Sequence, residues 1–181
     1  MQVFKFISST TTLLMAGILL SLNASAHLMV SQQGTINVVG AEAFVVISIP
    51  ISTFKGIDTN QDGHISMIEF NQHRNTVTQQ LVQNFVLLDK DQSIELVDVL
   101  LSPVQPHHST DQHFTQLTVM GKFKLDDLSE SIKLKINLYG TAEDEQRLKV
   151  TLIRAEDHIE QTMQFNPTST ISDVLLTQST Q

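Results

Sequence analysis

Two kinds of hydrophobic spacing alternate along the chain. Thr35-Ile36-Asn37-Val38-Val39 and Ala43-Phe44-Val45-Val46-Ile47-Ser48-Ile49 are β-rich runs separated by Gly40-Ala41-Glu42, which predicts a hairpin within an extended Leu28–Pro50. From Ser66 to about Gln80 the period changes: Met67, Phe70, Val77 and Leu81 fall near helical spacing. Ser66-Met67-Ile68-Glu69 is a capping-box pattern, in which the Ser hydroxyl and the Glu carboxylate satisfy orphan amides at a helix start. The pattern then returns to strands. Val82–Leu88 and Ile94–Leu101 flank a turn at Asp89-Lys90-Asp91-Gln92, and Phe114–Leu125, Ile132–Tyr139, Arg147–Arg154 and His158–Phe165 continue the series. Ile132-Lys133-Leu134-Lys135-Ile136-Asn137-Leu138 alternates apolar and polar at period two, the signature of a strand with one wet face. The predicted fold is mostly β, of the α+β kind: an antiparallel β-sandwich or open barrel with one short helix.

The N-terminus has a different logic. Lys5 is followed by the ten-residue apolar run Leu13–Leu22 and by Ala24-Ser25-Ala26, the three parts of a cleavable secretory signal in order. Ten apolar residues are too few to cross a bilayer, which takes ~20. The expected organisation is a signal peptide at 1–26 cut after Ala26, a β-rich domain at 27–166, and a C-terminal segment or tail at 167–181 rich in Thr, Ser and Gln. The expected location is periplasmic or secreted, with no transmembrane segment in the mature chain.

Composition narrows the function. The 181 residues carry 11 Lys and Arg against 19 Asp and Glu, a formal charge of -8. That balance argues against nucleic acid and anionic membrane as partners. With no Cys, disulfides, thiolate metal sites and cysteine nucleophiles are excluded. No Trp and one Tyr leave few platforms for stacking bases or sugars. Gly-x-Ser-x-Gly, a Gly-rich phosphate loop and His-Glu-x-x-His are all absent, and the chain reads as a non-enzyme. The acidic groups Asp126-Asp127 and Glu143-Asp144-Glu145 read as solvated turns.

One segment carries specific chemistry. Residues 58–69 read Asp-Thr-Asn-Gln-Asp-Gly-His-Ile-Ser-Met-Ile-Glu. Calcium takes six to eight oxygen ligands, and a twelve-residue loop supplies them from positions 1, 3, 5, 7, 9 and 12. Asp58, Asn60 and Asp62 offer side-chain oxygens, His64 its backbone carbonyl, Ser66 a water-mediated contact and Glu69 a bidentate carboxylate, with Gly63 at the sharp turn. The segment resembles the EF-hand family at every position of the pattern. It departs from the family around the loop: a strand, not a long helix, precedes it, and only Ile51–Gly56 could supply a helical turn. No good second loop follows, since Ile94 replaces the glycine and Leu100 the glutamate in the run from Asp89. The expectation is therefore a structural Ca2+, not a groove-opening switch, bound at roughly 10⁻⁴–10⁻³ M.

His107, His108 and His113 cluster in Gln105-Pro106-His107-His108-Ser109-Thr110-Asp111-Gln112-His113, and His27 would become the mature N-terminus. An N-terminal His chelates through amine and ring together, so these residues form an alternative reading: a periplasmic nickel, copper or zinc binder or metallochaperone. His64, His73 and His158 read as solvent-facing. More broadly, His27–Thr35, Ala43–Val46, the calcium loop, Leu117–Gly121 and Leu138–Gly140 resemble the exported N-terminal region of HupE/UreJ-type membrane proteins. That resemblance implies a free-standing extracytoplasmic domain and, as partner, an extracytoplasmic protein such as a membrane transporter. It implies no transport by this chain alone.

Overall fold

The structure is a computed structural model and describes residues 30–90, 92–105, 113–125 and 132–175. The segment 1–26 expected to be a signal peptide, His27, His107, His108 and Asp126-Asp127 lie outside the described residues. Among the described residues, no helix is long and apolar enough to cross a membrane.

The predicted hairpin forms. Strand β1 (Gln33–Val39) pairs antiparallel with β2 (Glu42–Pro50) through a turn in which Gly40 takes the left-handed φ of 55°. Gly34 lies opposite Ile47, and a Cβ there would stand 2.8 Å from the Ile47 side chain, so only glycine permits this approach. After β2 come a single 3-10 turn at Ile51–Thr53, then the loop, then helices α1 (Met67–Gln72) and α2 (Arg74–Asn84). The expected helix is thus two pieces meeting at His73. It also runs to Asn84, where Val82–Leu88 reads as a strand. Val77 and Leu81, both fully buried, hold α2 against the core, and that burial overrides the β preference of Val82.

Strand β3 (Phe85–Asp89) then turns into β4 (Gln92–Glu95). The expected strand Ile94–Leu101 is divided. At buried Leu96 the chain leaves one sheet for the other and resumes as β5 (Val97–Val104). The series closes with β6 (Gln116–Lys124), β7 (Ile132–Ile136), β8 (Leu148–Arg154), β9 (Ile159–Phe165) and β10 (Ile171–Val174). The last strand pairs with β7, so the segment after 166 contributes an edge to the fold.

The result is mostly β and sandwich-like, with two sheets ordered β5-β6-β2-β1-β8-β9 and β10-β7-β3-β4. All pairings are antiparallel except β1 with β8. Alternate residues of β2, β6 and β7 enter one core: Val45, Ile47 and Ile49 from β2, Leu117, Val119 and Phe123 from β6, Leu134 and Ile136 from β7. Phe85 of β3 meets Phe123 of β6 edge-on at 5.4 Å, joining the two sheets. Phe70, Val77 and Leu81 bring the helical segment into the same core.

Candidate metal centre

The segment entering the loop is anchored without a helix. Phe54 and Ile57 are buried, and the side-chain amide of Gln80 on α2 holds Lys55 from both sides. Lys55 N donates to Gln80 Oε1 at 2.9 Å, and Gln80 Nε2 donates to Lys55 O at 2.8 Å. This two-point clasp stands where an EF-hand has its first helix.

Within the loop, each predicted ligand side chain accepts from the loop's own donors. Asp58 takes the amides of Gln61 (2.7 Å) and Gly63 (3.0 Å), one on each oxygen. Asp62 takes His64 N at 2.8 Å and the Asn60 amide at 2.8 Å, while Asn60 Oδ1 takes Asp62 N at 3.1 Å. Gly63 adopts φ 81°, a conformation in which a side chain would be strained.

Glu69 closes the ring. Its Oε1 accepts from Thr59 N (2.9 Å), Thr59 Oγ1 (3.0 Å) and Asn60 N (3.4 Å), at the start of the loop. Its Oε2 accepts from Ser66 N (3.0 Å) and Ser66 Oγ (2.8 Å), and Ser66 Oγ accepts Glu69 N at 3.3 Å. The predicted capping box therefore forms, and the same carboxylate ties the loop's first residues to the start of α1. Donation from the Ser66 amide and hydroxyl, then from Thr59, lowers the Glu69 pKa to about 2. Asp62 is lowered too, by the His64 amide and the Asn60 side chain. Both groups are anionic at neutral pH.

Ile65, the eighth residue of the loop, has no second loop to pair with among the described residues. Here the chain entering β6 takes that place. Phe114 N donates to the carbonyl of buried Ile65 at 3.1 Å. Phe114 also meets Phe70 edge-on at 6.3 Å, and Arg74 lies over the Phe70 ring, 4.8 Å from its centre. The same junction stacks His113 on His64, with ring centroids 4.5 Å apart. His64 is exposed as expected but is not isolated. His113 Nδ1 is buried and has no hydrogen-bond partner among the described residues. No pattern at the level of residue spacing links His64 to His113; only the fold does.

The donor set suits a hard divalent cation: it is all oxygen, with three carboxylates and a glycine at the turn. Asp58, Asn60, Asp62, Ser66 and Glu69 share one hydrogen-bonded loop, and the His64 carbonyl belongs to the same turn. The acidic side chains do not converge on a common point, and no cluster of three or more His, Asp or Glu arranged to hold a metal occurs among the described residues. Each carboxylate is instead engaged by N–H and O–H groups that an ion would have to displace from part of its surface. Neither protein-family models nor curated proteins match the chain.

Proposed function

We propose that the Asp58–Glu69 loop binds one calcium ion and that the protein is an exported binding or accessory module in which this ion is structural. The supporting observation is Glu69: a buried carboxylate, held ionised, that joins both ends of a twelve-residue oxygen-rich loop. Asp58, Asn60, Asp62 and Glu69 would hold the ion with side-chain oxygens, His64 with its carbonyl and Ser66 through water. The ion supplies positive charge that offsets the mutual repulsion of three carboxylates within one loop.

Because the loop already closes on itself, binding exchanges internal hydrogen bonds for metal contacts. This supports an affinity of roughly 10⁻⁴–10⁻³ M, in the range of extracellular modules. The consequence is local order at a surface formed by the loop, the start of α1 and the segment entering β6, available to an extracytoplasmic partner.

Calorimetric titration of the purified protein with calcium tests the reading. One site is expected, with the heat and the thermal stabilisation lost in both Asp58→Ala and Glu69→Gln. The absence of heat and of any thermal shift at about 10 mM calcium, ten times the weakest affinity expected, overturns it.

A further inference from the structure

A second site lies beside the loop. Glu145 belongs to a 3-10 turn at Glu143–Gln146; Glu143 and Asp144 are exposed, as expected of a solvated turn, whereas Glu145 is half-buried. Its Oε2 accepts from Ser52 Oγ at 2.7 Å and from Ala142 N at 3.3 Å, and Ser52 Oγ accepts from Thr141 N at 3.3 Å. A Cβ on Gly140 would stand 2.6 Å from the Cβ of Glu145, so glycine makes room for this side chain. One oxygen of a half-buried carboxylate is thereby fixed, while Oε1 has no protein donor among the described residues.

Glu145 lines a cleft of about 440 Å³, within the range of small-molecule sites. Lys55 lines it as well, its Nζ 3.4 Å from the carbonyl of Ser52. Ser52 thus holds an anion through its hydroxyl and a cation through its carbonyl. The two charges form no ion pair, with each other or with any other described residue. Ile51, Phe54, Ile65 and Phe114, all buried, give the cleft an apolar floor.

We propose that this cleft binds a free α-amino acid with an apolar side chain, its ammonium group on Glu145 and its carboxylate on Lys55. A ligand carrying only a carboxylate would meet Glu145 and Asp58, which also lines the cleft. A ligand carrying only an amine would face Lys55. A zwitterion satisfies both poles with charge-assisted hydrogen bonds, and its side chain covers the apolar floor. Asp58 and Gly63 connect the cleft to the calcium loop, but Glu145 and Lys55 lie outside that loop, so the proposal does not depend on the ion.

Calorimetry of the purified protein with leucine, valine and phenylalanine tests it, in calcium and again in chelator. Isocaproate, which lacks the ammonium group, and isoamylamine, which lacks the carboxylate, serve as the paired probes. The amino acids are expected to bind at millimolar affinity or better, and each probe about tenfold more weakly than leucine. Glu145→Gln should weaken leucine about tenfold without weakening isocaproate, and Lys55→Met should weaken leucine without weakening isoamylamine. Circular dichroism checks that both variants are folded. No heat with any of the three amino acids at about 50 mM, or leucine binding unchanged in both variants, overturns the proposal. Calcium heat without amino-acid heat would sink this site and leave the calcium reading standing; the reverse result would do the opposite.

Discussion

Replacing Glu69 by alanine is expected to lower stability by about 2–4 kcal/mol, because it removes a capping box and several charge-assisted hydrogen bonds together. The side chain is buried, and its two oxygens serve Thr59 and Asn60 at one end of the loop and Ser66 at the other. Alanine frees the loop start from the helix start. Glu69→Gln keeps an acceptor oxygen but removes the charge, so its cost is smaller and its pH dependence is the informative quantity. The folded-state pKa of about 2 lies below the ordinary carboxylate value of 4.5. The folded protein therefore binds fewer protons than the unfolded chain between those two values. Glu69 contributes its full stabilisation above pH 4.5 and loses it as pH falls toward 2. Urea unfolding followed from pH 6 down to about pH 2.5 should show a shallower acid decline in Glu69→Gln than in the wild type. Identical acid limbs would mean that Glu69 is not held as described.

Phe70→Ala is expected to cost about 3–5 kcal/mol, the range for an aromatic ring removed from a closed core. Phe70 is fully buried, meets Phe114 edge-on and carries Arg74 over its ring. It sits next to Glu69, so it fixes where α1 begins relative to the segment entering β6. Ile68→Ala is the appropriate comparison, since Ile68 is 69% exposed and its loss should cost less than about 0.5 kcal/mol. Thermal unfolding of the two variants checks this. Equal stability of both would show that α1 is not anchored through Phe70.

What the chain reveals by itself depends on the range of the interactions. The β1–β2 hairpin, the capping box and the alternation in β7 are local: neighbouring residues contain the whole signal. The same holds for the loop at residues 58–69, whose side-chain acceptors and backbone donors lie on one backbone segment. The break at Leu96 is not local. Ile94 and Leu101 share one β-rich run, and only the competition between two sheets divides it. The clasp of Gln80 on Lys55, the bond from Phe114 to Ile65 and the stacking of His113 on His64 are also long-range. They decide how a loop without an entering helix or a paired partner is held in place. Glu145 was legible only as part of an acidic turn, because the Ser52 hydroxyl that orients it comes from a distant part of the chain.

The most direct measurement of the central claim is residue-resolved: a calcium titration followed through the backbone amide resonances. The amides of Gln61, Gly63 and His64 donate to Asp58 and Asp62, and those of Thr59 and Ser66 to Glu69. A calcium ion that draws on these carboxylates must move all five resonances. They should shift along one saturating curve, and Phe114 N, bonded to Ile65 O, should shift with them. Loop resonances that stay in place at about 10 mM calcium, or that move without saturation while the rest of the surface moves equally, would contradict a calcium site at Asp58–Glu69.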